Sequence, residues 1–362
     1  MRGQTLQLFL VVSVAGCSGG PVAPPDDAPE VDLDALFAPA SQAEVDAVAA
    51  DWAARSPGAA GVETELDTTV LAGPTTIRVR VVSHLVAGAR HYGAVMLADG
   101  TPTPAPVLVF THPDDAGVAV EDVLTQIALV GEVARRFVWV VPSFRSESLR
   151  FAGDAWRSEG EASPFDGDVD DALALLDVAL GLEAAADTSA IGVLGFSRGA
   201  GVALLMGARD PRIDRIVDFF GPTDFFGPWV RGVVAEVLDG ATPDLPGLAF
   251  LRARWLEPLR QGERTTAEVR LELVRRSPVL FAALLPAVQV HHGTADPVVD
   301  VSQAQSLVAA MESLGRGPPG FEAYLYPGAG HSPFTMLESL GRATTFLEAL
   351  LPAPSLHART GR

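Results

Sequence analysis

The stretch Ile191-Gly192-Val193-Leu194-Gly195-Phe196-Ser197-Arg198-Gly199-Ala200-Gly201 decides how this chain is read. Its first half is a short apolar run, the pattern of a strand buried on both faces. Its second half opens a helix with small residues. Between them stands G-x-S-x-G. Alone, that pattern also describes a structural Gly-Ser turn. Between a buried strand and a helix, it describes a sharp bend that lifts Ser197 into a strained backbone conformation. Glycines two positions to either side relieve the crowding such a bend creates. The bend also sets the serine at a helix N-terminus, where backbone N–H groups and the helix dipole favour developing negative charge.

Working outward, strands and helices alternate. Val107 to Phe110, Phe137 to Val141, Ile213 to Phe220, Val288 to His291 and Phe321 to Tyr326 read as further strands. Helical spacing appears at 120–135, 166–182, 199–208, 303–314 and 335–350. Such alternation specifies an α/β chain: a mostly parallel central sheet with helices on both faces. Thr75-Ile77-Val79-Val81 alternates with Arg78 and Arg80, and Tyr92 to Leu97 reads as its partner, which suits an antiparallel edge of the same sheet. Ahead of these, 41–55 reads as a helix with Ser41 and Glu44 as its capping box. From about 228 to 284 the pattern is helical, with no convincing buried strand. In a sheet whose ligands sit beyond the carboxyl ends of the strands, such an insertion is placed to become a lid. Its Trp229, Phe250 and Trp255 line a pocket or pack a core; the sequence leaves both open.

A serine hydroxyl needs a base to become a nucleophile. Tyr326-Pro327-Gly328-Ala329-Gly330-His331-Ser332 supplies His331 on the loop after the last strand. An acid must hold the imidazole in the right tautomer. Asp296, in Gly293-Thr294-Ala295-Asp296-Pro297-Val298-Val299, follows a buried strand and completes the order Ser, Asp, His. Asp300 and Asp224 are the rival acids, read as turn residues. The two loop motifs, with Arg275-Arg276-Ser277-Pro278 before the acid strand, resemble the catalytic domain of the prolyl-oligopeptidase and dienelactone-hydrolase branch of α/β-hydrolases. The resemblance covers roughly 107 to 350. It implies the α/β-hydrolase fold with a helical lid insertion, and a serine hydrolase with Ser197, Asp296 and His331 as its triad. It further implies an oxyanion hole from the N–H of Arg198 and from the loop Thr111-His112-Pro113-Asp114-Asp115. Pro113 has no N–H, so Asp114 is the expected second donor. The carboxylates of Asp114 and Asp115 either face solvent or meet a cationic part of the substrate. His112 reads as a structural loop residue. The large propeller of prolyl oligopeptidases has no counterpart before Val107, which weighs against peptides as substrates.

The remaining features bound the partners. A formal net charge of −19 over 362 residues argues against nucleic acid. No dinucleotide, phosphate-loop or metal motif appears in context. His291 and His292 are adjacent on a strand and so face opposite ways. No cofactor is expected. The single cysteine, Cys17, follows an early Arg2 and an apolar run too short to span a bilayer. Val14-Ala15-Gly16-Cys17 resembles a bacterial lipobox. That resemblance implies a signal peptide over 1–16, cleavage before Cys17, a diacylglyceryl anchor on its sulfur and a position in the cell envelope, periplasm-facing or on the outer membrane. A Pro-, Gly- and Asp-rich tether is expected over 17–40 and the folded domain over 41–355. Three activities remain: a carboxylic-ester hydrolase, a peptidase or amidase with the same residues, and a non-catalytic binding module on a hydrolase scaffold.

Overall fold

The computed structural model describes residues 31–55 and 58–352. Cys17, the signal-peptide segment and tether residues 17–30 lie outside the described residues. The tether ends sooner than its expected limit of 40. A helical turn α1 (Leu33–Leu36) buries Leu36 and Phe37 in the core. Composition pointed to a solvated linker there, but the segment ends in two large apolar side chains that the core buries. Helix α2 (Gln42–Ala54) follows, with the Ser41–Glu44 capping box formed.

Nine strands make one sheet. β1 (Ala60–Ala72), β2 (Thr75–Val86) and β3 (Ala89–Ala98) form its antiparallel edge. Strand β1 escaped the sequence reading because its first half is exposed and carries Glu63, Glu65 and Asp67. β4 (Ala105–Thr111) is fully buried, and β5 (Val118–Ala119) lies in a small second sheet with β7 (Ser148–Phe151) and β8 (Asp154–Arg157). β6 (Val138–Pro142), β9 (Ala186–Phe196), β10 (Ile213–Phe219), β11 (Ala287–Gly293) and β12 (Phe321–Tyr326) complete the large sheet. Its order is β1-β2-β3-β6-β4-β9-β10-β11-β12, parallel from β6 onward.

The period of two along each strand makes two cores. Val107 and Val109 face one with α4 (Asp166–Leu182), α5 (Arg198–Arg209) and α10 (Ser302–Ser313). Leu108 and Phe110 face the other with α3 (Val120–Val130) and α11 (Ser339–Glu348). Two boundaries differ from the sequence pattern. α3 stops at Val130 because Gly131 turns to φ 78°. α11 begins at Ser339, after Glu338 at φ 67°.

The insertion 228–284 carries helices and no strand, as its pattern requires: α6 (Pro228–Leu238), α7 (Leu248–Leu251), a π turn, α8 (Glu257–Arg260), α9 (Thr266–Val274) and a 3₁₀ segment. Arg270 on α9 binds it to the start of the chain. Its guanidinium donates to the carbonyls of Leu36 at 2.9 Å and Ala38 at 2.7 Å, and to both Glu44 oxygens at 2.7 and 2.9 Å. The Arg270 hydrogen bond, followed by those from Ser41, outweighs burial and holds the Glu44 carboxyl down from 4.5 to about 2.

A depressed carboxyl stabilises the fold above its unfolded pKa and stops doing so as pH falls through its folded one. Urea unfolding between pH 7 and 2 should therefore show stability lost from about pH 4.5 downward. Arg270→Met should lower stability at pH 7 by about 2 kcal/mol, the scale of charge-assisted hydrogen bonds, and shrink that acid-side loss. Parallel pH curves for the two proteins would contradict the assignment.

Candidate active site

Ser197 joins β9 to α5 at φ 51° and ψ −125°, a backbone region that side chains normally avoid. Three contacts hold it there. Its N–H donates to the Phe219 carbonyl of β10 at 2.9 Å. A Cβ on Gly195 would lie 2.5 Å from the Gly199 carbonyl, and one on Gly199 would lie 2.1 Å from that of Thr111. The Thr111 hydroxyl donates to the Gly199 carbonyl at 2.8 Å, tying β4 to the bend. Both glycines are thus required by close backbone packing as well as by the turn.

The structure brings His331 and Asp296 together. His331 Nδ1 lies 2.7 Å from Asp296 Oδ2, on the loops after β12 and β11. The Val298 and Val299 N–H groups donate to the other Asp296 oxygen at 2.8 and 3.0 Å. Burial pushes this carboxyl up; the His331 hydrogen bond and the two amides outweigh it and leave it below its ordinary value. His292, which the sequence placed only as facing away from His291, also reaches the acid: its Nε2 meets the Val299 carbonyl at 2.9 Å and lies 3.7 Å from Asp296 Oδ2. The rivals serve as turn residues. Asp300 accepts from Ser302 N–H and Asp224 from Phe226 N–H.

Phe219 and Phe220 join the two halves of the site. Phe219 accepts from the serine N–H, and the Phe220 ring packs 4.2 Å from the His331 ring. The Ser197 hydroxyl makes no hydrogen bond with a described residue, so its link to the imidazole is open in this state. Loose contacts of this kind are common before substrate binds. The N–H groups of Arg198 and Asp114, the two expected oxyanion donors, donate to no described residue.

The Arg198 side chain was missed altogether. The sequence reading used only its backbone. The guanidinium is buried, packs 5.1 Å over Phe144, and donates to Asp168 at 2.7 and 2.9 Å, to Glu147 at 2.6 Å and to Asp115 at 2.6 Å. No local pattern joins residues this far apart along the chain; the signal was only an arginine beside the serine with nothing local to pair it. Burial raises Asp168 to about 6 and Glu147 to about 8; Arg198 pulls Glu147 down, and the Asp168 and Asp115 charges push it back up. His112 stands 3.3 Å from Glu147 and is lowered to about 3, by burial first and then by Arg198.

The two loop carboxylates differ: Asp115 is taken up by partners within the protein, and Asp114 faces solvent. Asp115 accepts from Arg198 and from the Gly247 N–H of the insertion at 2.9 Å, and Asp114 accepts from Ala116 N–H at 2.8 Å. The insertion does reach the serine. Trp229, Val233, Leu245 and Trp255 line an apolar cavity of about 60 Å³ whose wall includes Ser197 and Arg198. Phe250 lies under the Arg276 guanidinium at 5.6 Å. Among the described residues, no group of three His, Cys, Asp or Glu side chains is placed to hold a metal ion. No described helix is long and apolar enough to cross a membrane.

No family model matches the chain, and no curated protein sequence matches it. Solved structures do. Acetyl xylan esterase 1 from Thermoanaerobacterium sp. JW/SL YS485 superimposes with a TM-score of 0.57 at 17% identity, over 89% of this chain and 100% of that one. An acetyl xylan esterase from Paenibacillus sp. R4 gives 0.54 at 17% identity, over 90% and 96%. A puromycin-hydrolysing peptidase from Mycobacterium tuberculosis gives 0.52 at 16% identity, over 77% of this chain and 46% of that one. The chain has the α/β-hydrolase fold.

A carboxyl raised by burial holds its proton in the folded state. Stability from Glu147 is therefore full below its unfolded pKa of 4.5 and falls as pH rises through about 8. Urea midpoints from pH 5 to 9 should decline in the wild type and decline less in Glu147→Gln, which keeps a neutral group at every pH. An equal decline in both would remove Glu147 as the titrating group.

Proposed function

We propose that this chain is a serine hydrolase that cleaves carboxylic esters of short acyl groups. One observation carries the reading: a serine held at φ 51° on a helix N-terminus, in a molecule that also pairs His331 with a buried aspartate at 2.7 Å. In the proposed cycle, Ser197 Oγ attacks the ester carbonyl carbon while His331 takes its proton. The Arg198 and Asp114 N–H groups receive the oxyanion. The ester C–O bond breaks, and His331 passes the proton to the departing alkoxide. Water, deprotonated by His331, then releases the acid and restores the serine. Asp296 stays ionised and stabilises the imidazolium, which its lowered pKa favours.

The short-acyl preference follows from the cavity. About 60 Å³ of apolar space beside the serine suits an acyl chain of about two to four carbons. It is small for a peptide side chain on both sides of a scissile bond, which favours esters over the peptidase reading. Esterases among the structural neighbours agree with this choice; the peptidase neighbour keeps the amide comparison worth making. Export and a lipid anchor at Cys17 belong to the same proposal and rest on the lipobox-like Val14-Ala15-Gly16-Cys17. In cells, Cys17→Ser should move the protein from membranes to the soluble fraction and abolish incorporation of a labelled fatty acid.

A fluorophosphonate probe should label the wild type, and a folded Ser197→Ala protein should not be labelled. Asp296→Asn should lower kcat on a short-chain ester about 10⁴-fold, the scale of losing the correct tautomer, with little change in thermal unfolding. Hydrolysis of 4-nitrophenyl acetate should exceed that of the matched anilide. An unlabelled, folded wild type would instead favour the binding-module reading.

A further inference from the structure

The face of the sheet opposite the serine's cavity holds a second and larger apolar cavity, of about 420 Å³. Its floor is Leu108, Phe110, Leu194 and Phe196 of β4 and β9. Its walls are α3 and α11. Along α3 it is lined from Asp122 to Val130, about 12 Å at the rise of a helix. Its upper end is formed by Pro113, Phe220 and His331. The oxyanion loop and the general base are therefore part of its wall. Leu129 and Phe334 line it too, and both are left largely in solvent, 63% and 74% exposed. Large apolar side chains so placed gain most when an apolar ligand covers them.

We propose that this groove receives the leaving group of the ester, and that the leaving group is an apolar alcohol, a linear chain of about six to eight carbons or a flat ring of similar size. The assignment rests on the hydrolase reading above. The histidine that protonates the departing alkoxide must lie within hydrogen-bond reach of its oxygen. The alcohol side of a bound ester is thereby fixed on the His331 side, where the groove begins, and the acyl side is fixed at Ser197, beside the small cavity. The two cavities differ about sevenfold in volume, 60 against 420 Å³. The substrate is correspondingly lopsided: short acid, long apolar alcohol.

Two ester series test this with the intact protein in a pH-stat. Along ethyl, butyl, hexyl and octyl acetate, kcat/KM should rise about twofold or more per methylene up to hexyl, within the range that burying a methylene permits. Along ethyl acetate, butyrate and hexanoate it should fall beyond butyrate. Gln126→Trp on α3, and separately Thr344→Phe on α11, should erase the rise with alcohol length while leaving ethyl acetate within about twofold of wild type. Turnover of every ester with no dependence on alcohol length would overturn the groove assignment and spare the hydrolase reading. A gain with long acyl chains in place of long alcohols would overturn it as well, by giving the groove to the acid. No turnover of any ester by the folded protein would sink the parent reading, and the groove assignment with it.

Discussion

At Ser197 the main chain is held in a conformation that costs of order 1–3 kcal/mol when nothing supports it. Much of the central fold supports it. The β10 carbonyl of Phe219 takes the serine N–H, and the Thr111 end of β4 closes on Gly199 from the other side. The bend therefore exists only where β4, β9 and β10 lie side by side in register, and the parallel sheet supplies that register. The carboxyl ends of the next two strands, β11 and β12, carry the acid and histidine loops. One constraint thus fixes the serine, aims α5, and sets where the other two side chains must arrive.

A second layer of order comes from charge. Arg198, next in sequence to the serine, sits in the interior with three carboxylates around it. One cation does not balance three anions in a poorly solvated space, and the raised Glu147 and Asp168 reflect that: the cluster keeps a proton where an isolated carboxyl would lose it. The cluster also joins parts of the chain that share no secondary structure. Glu147 comes from the segment before β7, Asp168 from the first turn of α4, and Asp115 from the loop after β4. Removing Arg198 would leave buried carboxylates unmatched, which is far costlier than the pairs are favourable.

The sheet, the helical insertion and the loops that pair Asp296 with His331 were legible because each leaves a local trace. Buried strands such as Ile191 to Phe196 are continuous apolar runs, and the site residues stand immediately after them. Strand β1 left no such trace, since one half of it faces solvent on both sides. The hairpin at 148–157 has strands of only four residues each, too short for a clear alternation. Docking of 31–40 depends on Arg270, some 230 residues away, collecting its free carbonyls. The Arg198 cluster was invisible for the same reason: its partners come from separate parts of the chain, and only the folded topology brings them together. What the sequence could not supply was pairing at long range, together with the volumes of the two cavities that depend on it.

The clasp at Arg270 has a mechanical meaning. Residue 31 leaves the domain beside α1, whose carbonyls are gripped by an arginine rooted in the insertion that roofs the small cavity. A load applied at that end meets the Arg270 hydrogen bonds to α9 before it reaches β1. With the anchor at Cys17 proposed above, tension on the chain before residue 31 would be felt at the roof over Ser197 before it was felt by the sheet.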